Sequence, residues 1–273
     1  MGIPGVRPLI RAAAFSGVLA MTALLGGCAT APTAPATGTF VERSVTVEGA
    51  DYRYQVFVPA SRARHGSAPT ILFLHGTGER GSDGDKPTRV GLGPYLRAHA
   101  DTFPAIVVFP QAPDDSDWKG TAAVIAFAAL DAATKEFGGD RDRSYLTGLS
   151  MGGYGTWELA LMQPQRFAAL VPVCGALTAP REERDLYVTP LRDEADPPAA
   201  LAQRLKHVPV WIFHGGKDDV VPPREDRLIE AAFRTAGGDA RYTEFPEANH
   251  NSWDPTYSQT PELWPWLFAQ KRR

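Results

Sequence analysis

Cysteine is scarce: the 273 residues hold two, Cys28 and Cys174. That excludes a disulfide scaffold and a cysteine-rich metal site. No His/Cys/Asp cluster stands at zinc-ligand spacing, so no metal and no cofactor is expected. Positive charge is not in excess, with 28 Lys+Arg against 31 Asp+Glu, a net −3. There is also no basic run and no aromatic–basic stripe, so nothing points to a nucleic-acid partner. No internal repeat is visible. What the chain does have is 44% hydrophobic and 10% aromatic residues. That is enough for a full core and excludes disorder throughout.

The N-terminus reads as an address. Arg7 and Arg11 precede an apolar run, Ala12–Leu25, with no acid before it. The run is too short for a permanent bilayer span but has the layout of a secretory signal. It ends in Leu25-Gly26-Gly27-Cys28, which resembles a bacterial lipobox. The expectation is a signal peptide over 1–27 and an acylated Cys28 as membrane anchor. An extended tether follows over 28–39, where Ala29–Thr39 is small, uncharged and punctuated by proline. The protein is then exported and held at a membrane, facing the periplasm or cell surface. Cys174 is left as a lone thiol, expected to be a small buried residue.

From residue 40 to 273 apolar runs alternate with helical patterns. Strands are expected at Phe40–Val47, Tyr52–Val58, Thr70–Leu74, Ala105–Phe109, Tyr145–Thr147, Ala169–Val173, Val210–Phe213 and Arg241–Phe245. The first two alternate polar and apolar residues, as antiparallel edge strands do. Several later ones are continuous apolar runs, as in a parallel sheet covered on both faces. Helices are expected at Thr121–Phe137, Gly152–Met162, Arg224–Ala236 and Glu262–Gln270. The alternation predicts a single α/β domain with a mostly parallel central sheet and helices on both faces. The connection between Val173 and Val210 is long and Pro-rich. It reads either as a solvated excursion or as a lid or pocket wall.

The sharpest motif is Gly148-Leu149-Ser150-Met151-Gly152-Gly153. It follows a short apolar run and precedes a helix-compatible stretch, the setting of a nucleophile elbow. Glycines two residues either side of Ser150 let neighbouring backbones approach. A serine hydroxyl needs a base. Of six histidines, His65 and His99 lie in polar segments and His207 precedes a strand. His75 and His214 end strands in His-Gly pairs and read as turn residues. His250 follows the last strand, where the base of such an elbow belongs in chain order. The acid should follow the preceding strand, in His214-Gly215-Gly216-Lys217-Asp218-Asp219. Spacing favours Asp218, with Asp219 as the alternative. Two N–H groups should hold the oxyanion, those of Met151 and Thr77, the latter in the Gly-rich loop after Leu74. Trp118, Trp157 and Trp253 are candidates for a substrate pocket, Trp157 equally for the core.

Four motifs in order, His75-Gly76-Thr77-Gly78-Glu79-Arg80-Gly81, Gly148–Gly153, His214–Pro222 and His250–Asp254, resemble the α/β-hydrolase superfamily. They look most like its carboxylesterase/phospholipase-type and feruloyl-esterase-like branch. Pro110-Gln111 and Trp118 are similar to that branch too. The resemblance covers roughly residues 52–268 and implies a Ser150–Asp218–His250 triad. The expected activity is hydrolysis of a carboxylic ester through an acyl-enzyme, on a small-molecule or carbohydrate-linked substrate such as a feruloyl or acetyl ester. A serine peptidase is the alternative within enzymes, and a non-catalytic binding lipoprotein the alternative outside them.

Overall fold

The computed structural model describes residues 1–2, 37–60, 68–181 and 184–272. Residues 3–36 of the expected signal and tether, with Cys28, and the segment holding His65 lie outside the described residues, and the end of the expected tether, Thr39, already belongs to the first strand.

Eight strands make one sheet: β1 Thr39–Val47, β2 Ala50–Val58, β3 Ala68–Leu74, β4 Ile106–Pro110, β5 Gly139–Leu149, β6 Ala169–Val173, β7 Val210–Gly215 and β8 Ala240–Phe245. Their spatial order is β1-β2-β4-β3-β5-β6-β7-β8. β1, β2 and β4 pair antiparallel, and every later neighbour is parallel. β1 and β2 are joined by Glu48-Gly49, both at positive φ (51° and 82°). Two such residues make the tight turn that matches strand twist.

Seven helices flank the sheet: α1 Leu92–Ala98, α2 Gly120–Phe137, α3 Met151–Met162, α4 Pro197–Leu205, α5 Arg224–Thr235, α6 Trp253–Ser258 and α7 Leu263–Ala269. Strand side chains alternate between faces. Ile71, Phe73, Val107, Phe109, Tyr145 and Phe213 pack in one layer with residues of α1 and α7 and Tyr257 of α6. Leu72, Leu74, Val108, Leu146 and Ile212 pack in the other with α2 to α5. Both sheet faces are therefore sealed, as the unbroken apolar runs required. Among the described residues no helix is long and apolar enough to cross a membrane.

Three helices, α1, α4 and α6, go beyond the sequence expectation. α4 was hidden by its prolines. Asp196 accepts the Ala199 N–H at 3.0 Å as N-cap, and Pro197-Pro198 occupy the first turn. There a missing N–H costs nothing. The 174–209 connection is in part core and in part pocket wall: Ala176, Thr178, Ala179, Pro180, Pro197 and Pro198 line a cavity of about 360 Å³ with Val221, Pro222 and α5. Leu186, Val188, Leu191, Leu201, Ala202 and Leu205 are buried in the core beside α2, α3 and α5. β5 runs further back than expected because its first residues, Asp140–Arg143, are polar and carry no apolar signal.

Candidate active site

β5 ends at Leu149 and α3 begins at Met151, so Ser150 is the whole turn between them. Its backbone sits at φ 53°, ψ −118°, outside the regions an L-residue prefers. Strain of this kind persists only where the surroundings impose it. The surroundings here are backbone. Ser150 N–H donates to Val173 O at 2.9 Å, and Ser150 O accepts from Gly153 N–H at 2.7 Å. A Cβ at Gly148 would stand 2.2 Å from Gly152 O, and one at Gly152 would stand 2.0 Å from Leu74 O. No other residue type fits either position without moving a strand.

His250 arrives on the loop after β8. Its Nε2 lies 2.9 Å from Ser150 Oγ and its Nδ1 2.7 Å from Asp218 Oδ2. Asp218 Oδ1 accepts two backbone N–H groups, from Val220 and Val221, each at 2.9 Å. Asp218 is buried and Asp219 exposed, which resolves the choice between them by position. Burial pushes the Asp218 carboxyl up. Its bonds to His214, to His250 and to the Val221 N–H outweigh that and hold it well below the usual carboxylate range.

Met151 N–H opens α3, and Thr77 opens a 3-10 turn that follows Gly76. A Cβ on Gly76 would stand 3.6 Å from Ser150 Cβ, so this loop's backbone lies directly against the serine. A cavity of about 180 Å³ joins Gly76, Thr77, Gly78, Glu79, Val90, Leu149, Ser150, His250 and Trp253. Trp253 is thus a pocket wall, edge-on to His250 with ring centroids 5.6 Å apart. Burial pushes the Glu79 carboxyl up from its ordinary value.

Trp118 is a correction: it does not line this cavity. It is 1% exposed, and its Nε1–H donates to His75 O at 2.9 Å. Its ring meets the His75 ring edge-on at 4.8 Å. Trp118 is a prop under the Thr77 loop. Trp157 is wholly buried, 6.2 Å from Phe233, and belongs to the core.

His75 and His214 also depart from their reading as turn residues, since both are fully buried. His75 Nδ1–H donates to Gly76 O at 2.6 Å, and its Nε2 accepts the Ala112 N–H at 3.0 Å. Only the neutral ring can do both. Burial, with Arg80 adding to it, lowers His75 to about 4. The loop is pinned further by Gln111, whose Nε2–H donates to Glu79 O at 2.9 Å while its Oε1 accepts Gly84 N–H at 2.6 Å. His207 is exposed, within 2.9 Å of Pro164 O. Cys174 is buried and unpaired, and burial pushes its thiol up. Among the described residues, Cys174, Asp218 and His250 bring three metal-ligand atoms within 4.8 Å of one another. Asp218 and His250 already spend theirs on each other.

The sequence argument missed Leu149, Val90, Gly76, Gly78 and Glu79 as cavity walls, and His214 and Asp226 behind Asp218. The four-residue step from His214 to Asp218 and the buried stripe Asp226, Ile229, Phe233 on α5 were the available signals.

The sheet order, the elbow and the Ser–His–Asp line define an α/β-hydrolase. Within that class the chain belongs to the prolyl oligopeptidase family, which it matches over residues 115–269. It is 30% identical over 157 residues to a poly(3-hydroxyoctanoate) depolymerase of Pseudomonas fluorescens, covering 50% of this chain and 51% of the relative. It is 26% identical over 228 residues to an uncharacterized secreted protein of Arthroderma benhamiae, covering 78% of this chain and 24% of that one. A thermostable esterase of known structure superposes with a TM-score of 0.67 at 30% identity, over 85% of this chain and 63% of the esterase. The chain thus spans a quarter to a half of the curated relatives it matches.

Proposed function

We propose that the chain is a serine hydrolase of carboxylic esters. The observation that carries this is the unbroken line from Ser150 Oγ through His250 to Asp218, at 2.9 and 2.7 Å. His250 Nε2 takes the Ser150 proton as Oγ attacks the ester carbonyl. The Thr77 and Met151 N–H groups hold the tetrahedral oxyanion. His250 then gives the proton to the leaving alcohol, and water, activated by the same imidazole, releases the acid and restores Ser150. Asp218 orients the ring and offsets its transient charge.

Esters are favoured as substrates because the depolymerase and the esterase above act on this bond by their names. The cavity of about 180 Å³ is below the range of about 300–1,000 Å³ that holds drug-sized ligands. It fits a small acyl group on a small-molecule or carbohydrate-linked alcohol. The family match supports a serine peptidase as the second reading. An alkyl fluorophosphonate should label Ser150 alone, and Ser150→Ala should lower ester turnover about a thousandfold or more with the fold intact. A panel of p-nitrophenyl, feruloyl and acetyl esters beside chromogenic peptides separates the two. Peptide cleavage exceeding ester cleavage overturns the ester reading. Near wild-type turnover in Ser150→Ala overturns both.

We propose further that the chain is exported and anchored through acylated Cys28. The support is the Leu25-Gly26-Gly27-Cys28 register behind an apolar run. The wild type should partition into detergent and Cys28→Ala should not. An unlipidated wild-type N-terminus refutes this.

A further inference from the structure

Behind Asp218 stands a second histidine–carboxylate pair that the proposed reaction does not use. His214 closes β7, and Asp226 lies on the buried stripe of α5. Both are fully enclosed. His214 Nδ1 is 2.6 Å from Asp226 Oδ2. Its Nε2 is 2.7 Å from Val221 O and 3.2 Å from Asp218 Oδ2. Both neighbours of Nε2 are acceptors, so Nε2 carries a hydrogen, which bonds Val221 O and stands in ion-pair contact with Asp218 Oδ2. The short contact between Nδ1 and a carboxylate oxygen also requires a hydrogen between them. The pair therefore holds two protons and is neutral as a whole, with its positive end toward Asp218. Burial disfavours a charged His214, but its bonds to Asp218 and Asp226 outweigh burial and lift it to about 10.

We propose that His214 is a positioning residue of the Ser150 machinery. Backed by Asp226, it presents its Nε2–H at 3.2 Å to Asp218 Oδ2, the oxygen that accepts from His250, and this ion-pair contact sets how strongly that oxygen holds the His250 ring. The proposal rests on the serine-hydrolase reading above. Asp218 has three hydrogen-bond donors, two backbone N–H groups on Oδ1 and His250 on Oδ2, and His214 Nε2 makes an ion-pair contact with the same Oδ2 at 3.2 Å. The imidazoles compete for the same electron density. Replacing the His214 cation by a neutral group leaves Oδ2 a stronger acceptor, which favours the imidazolium form of His250.

Other titratable groups face this line. Glu225 neighbours Asp226 on α5 and accepts the Leu177 and Thr178 N–H groups. Tyr154 of α3 and Tyr242 of β8 feel the Asp226 charge. Glu244 of β8 feels His214 but is paired with Arg227. The Cys174 thiol feels Asp218, and Glu79 shares the cavity with His250. None of these stands between His214 and Asp218, and the variants below leave them all in place.

The test is the rate at which an alkyl fluorophosphonate labels Ser150, measured against pH in the full chain. It needs no knowledge of the substrate. An unlabelled wild type would refute the serine-hydrolase reading itself. With the wild type labelled, His214→Gln keeps a donor without charge, and Asp226→Asn keeps the imidazole without its carboxylate. The acid limb of the labelling profile should move to higher pH by about one unit in His214→Gln. In Asp226→Asn the ring loses the carboxylate that holds its second proton and becomes a neutral, weaker partner of Oδ2, so the limb should move the same way by less. A purely structural role would lower the Tm and leave the limb in place, and that result overturns the proposal. If His214→Gln does not fold, Asp226→Asn decides alone, and an unmoved or downward-moving limb refutes the idea.

Discussion

Acid should unlock the oxyanion loop through His75. The neutral ring donates to Gly76 O and accepts from Ala112 N–H. A proton on Nε2 would set two N–H groups against each other in a site with no exposure. The folded chain thus holds His75 at about 4, against 6.5 for a free imidazole. Unfolded chain takes up this proton first as pH falls, so the folded state loses stability from about pH 6.5 down to about pH 4 and keeps it in full above. At about 1.4 kcal/mol per pH unit the whole contribution is about 3 kcal/mol, of which about 2.5 is gone by pH 4.5. His214 does not confuse this window. Its bonds raise it to about 10, so its stabilisation is complete below pH 6.5 and is lost only as pH rises toward 10. Urea titrations followed by tryptophan fluorescence from pH 7 to 4.5 measure the slope. His75→Gln should be less stable at pH 7, because it gives up part of this bonding. Its stability should then fall less on acidification, by about 2.5 kcal/mol. Parallel profiles for the two proteins would refute the assignment.

Gly152→Ala places a methyl 2.0 Å from Leu74 O and should cost about 3 kcal/mol or more, read as a drop in Tm together with lost labelling. Asp218→Asn should slow turnover about 10⁴-fold, whereas the exposed Asp219→Asn should stay within about twofold; steady-state kinetics on one ester decides, and the reverse order refutes the geometry. Trp253→Ala opens the cavity wall and should change KM between short and bulky acyl esters more than it changes kcat; equal effects on both esters would remove Trp253 from the acyl site.

The parallel strands were readable because both sheet faces are covered, so Ile71–Leu74 and Ile106–Phe109 carry no polar residue to blur them. Ser150 was readable because its flanking glycines sit between a strand and a helix pattern, and His250 because chain order selects it among the histidines. Asp218 needed burial to separate it from Asp219, and burial is not a local property. His75 and His214 were misread for the same reason. A histidine before glycine looks like a turn until its partners are known. Those partners lie 37 residues away at Ala112 and 12 away at Asp226. Trp118 was a pocket candidate by residue type, and residue type does not separate a pocket wall from a buried prop. Only the 2.5 Å approach of a Cβ at Gly155 to Trp118 Cβ reveals how deeply it is seated. The choice between excursion and pocket wall over 174–209 stayed open in the sequence because α4 docks through spaced apolar residues in a stretch dominated by proline and charge.

The helix that carries Ser150 is poorly suited to forming by itself. Gly152, Gly153 and Gly155 crowd its first turns, each costing about 1 kcal/mol of helix propensity against alanine. Their bare Cα atoms become an advantage only once Leu74, Val173 and Trp118 have come within van der Waals reach. α3 is therefore held by neighbours drawn from three separate stretches of chain rather than by its own propensity. A partly folded chain has the serine but not the elbow. Reactivity of Ser150 toward a fluorophosphonate then counts native molecules, which makes the hydroxyl a built-in reporter of refolding.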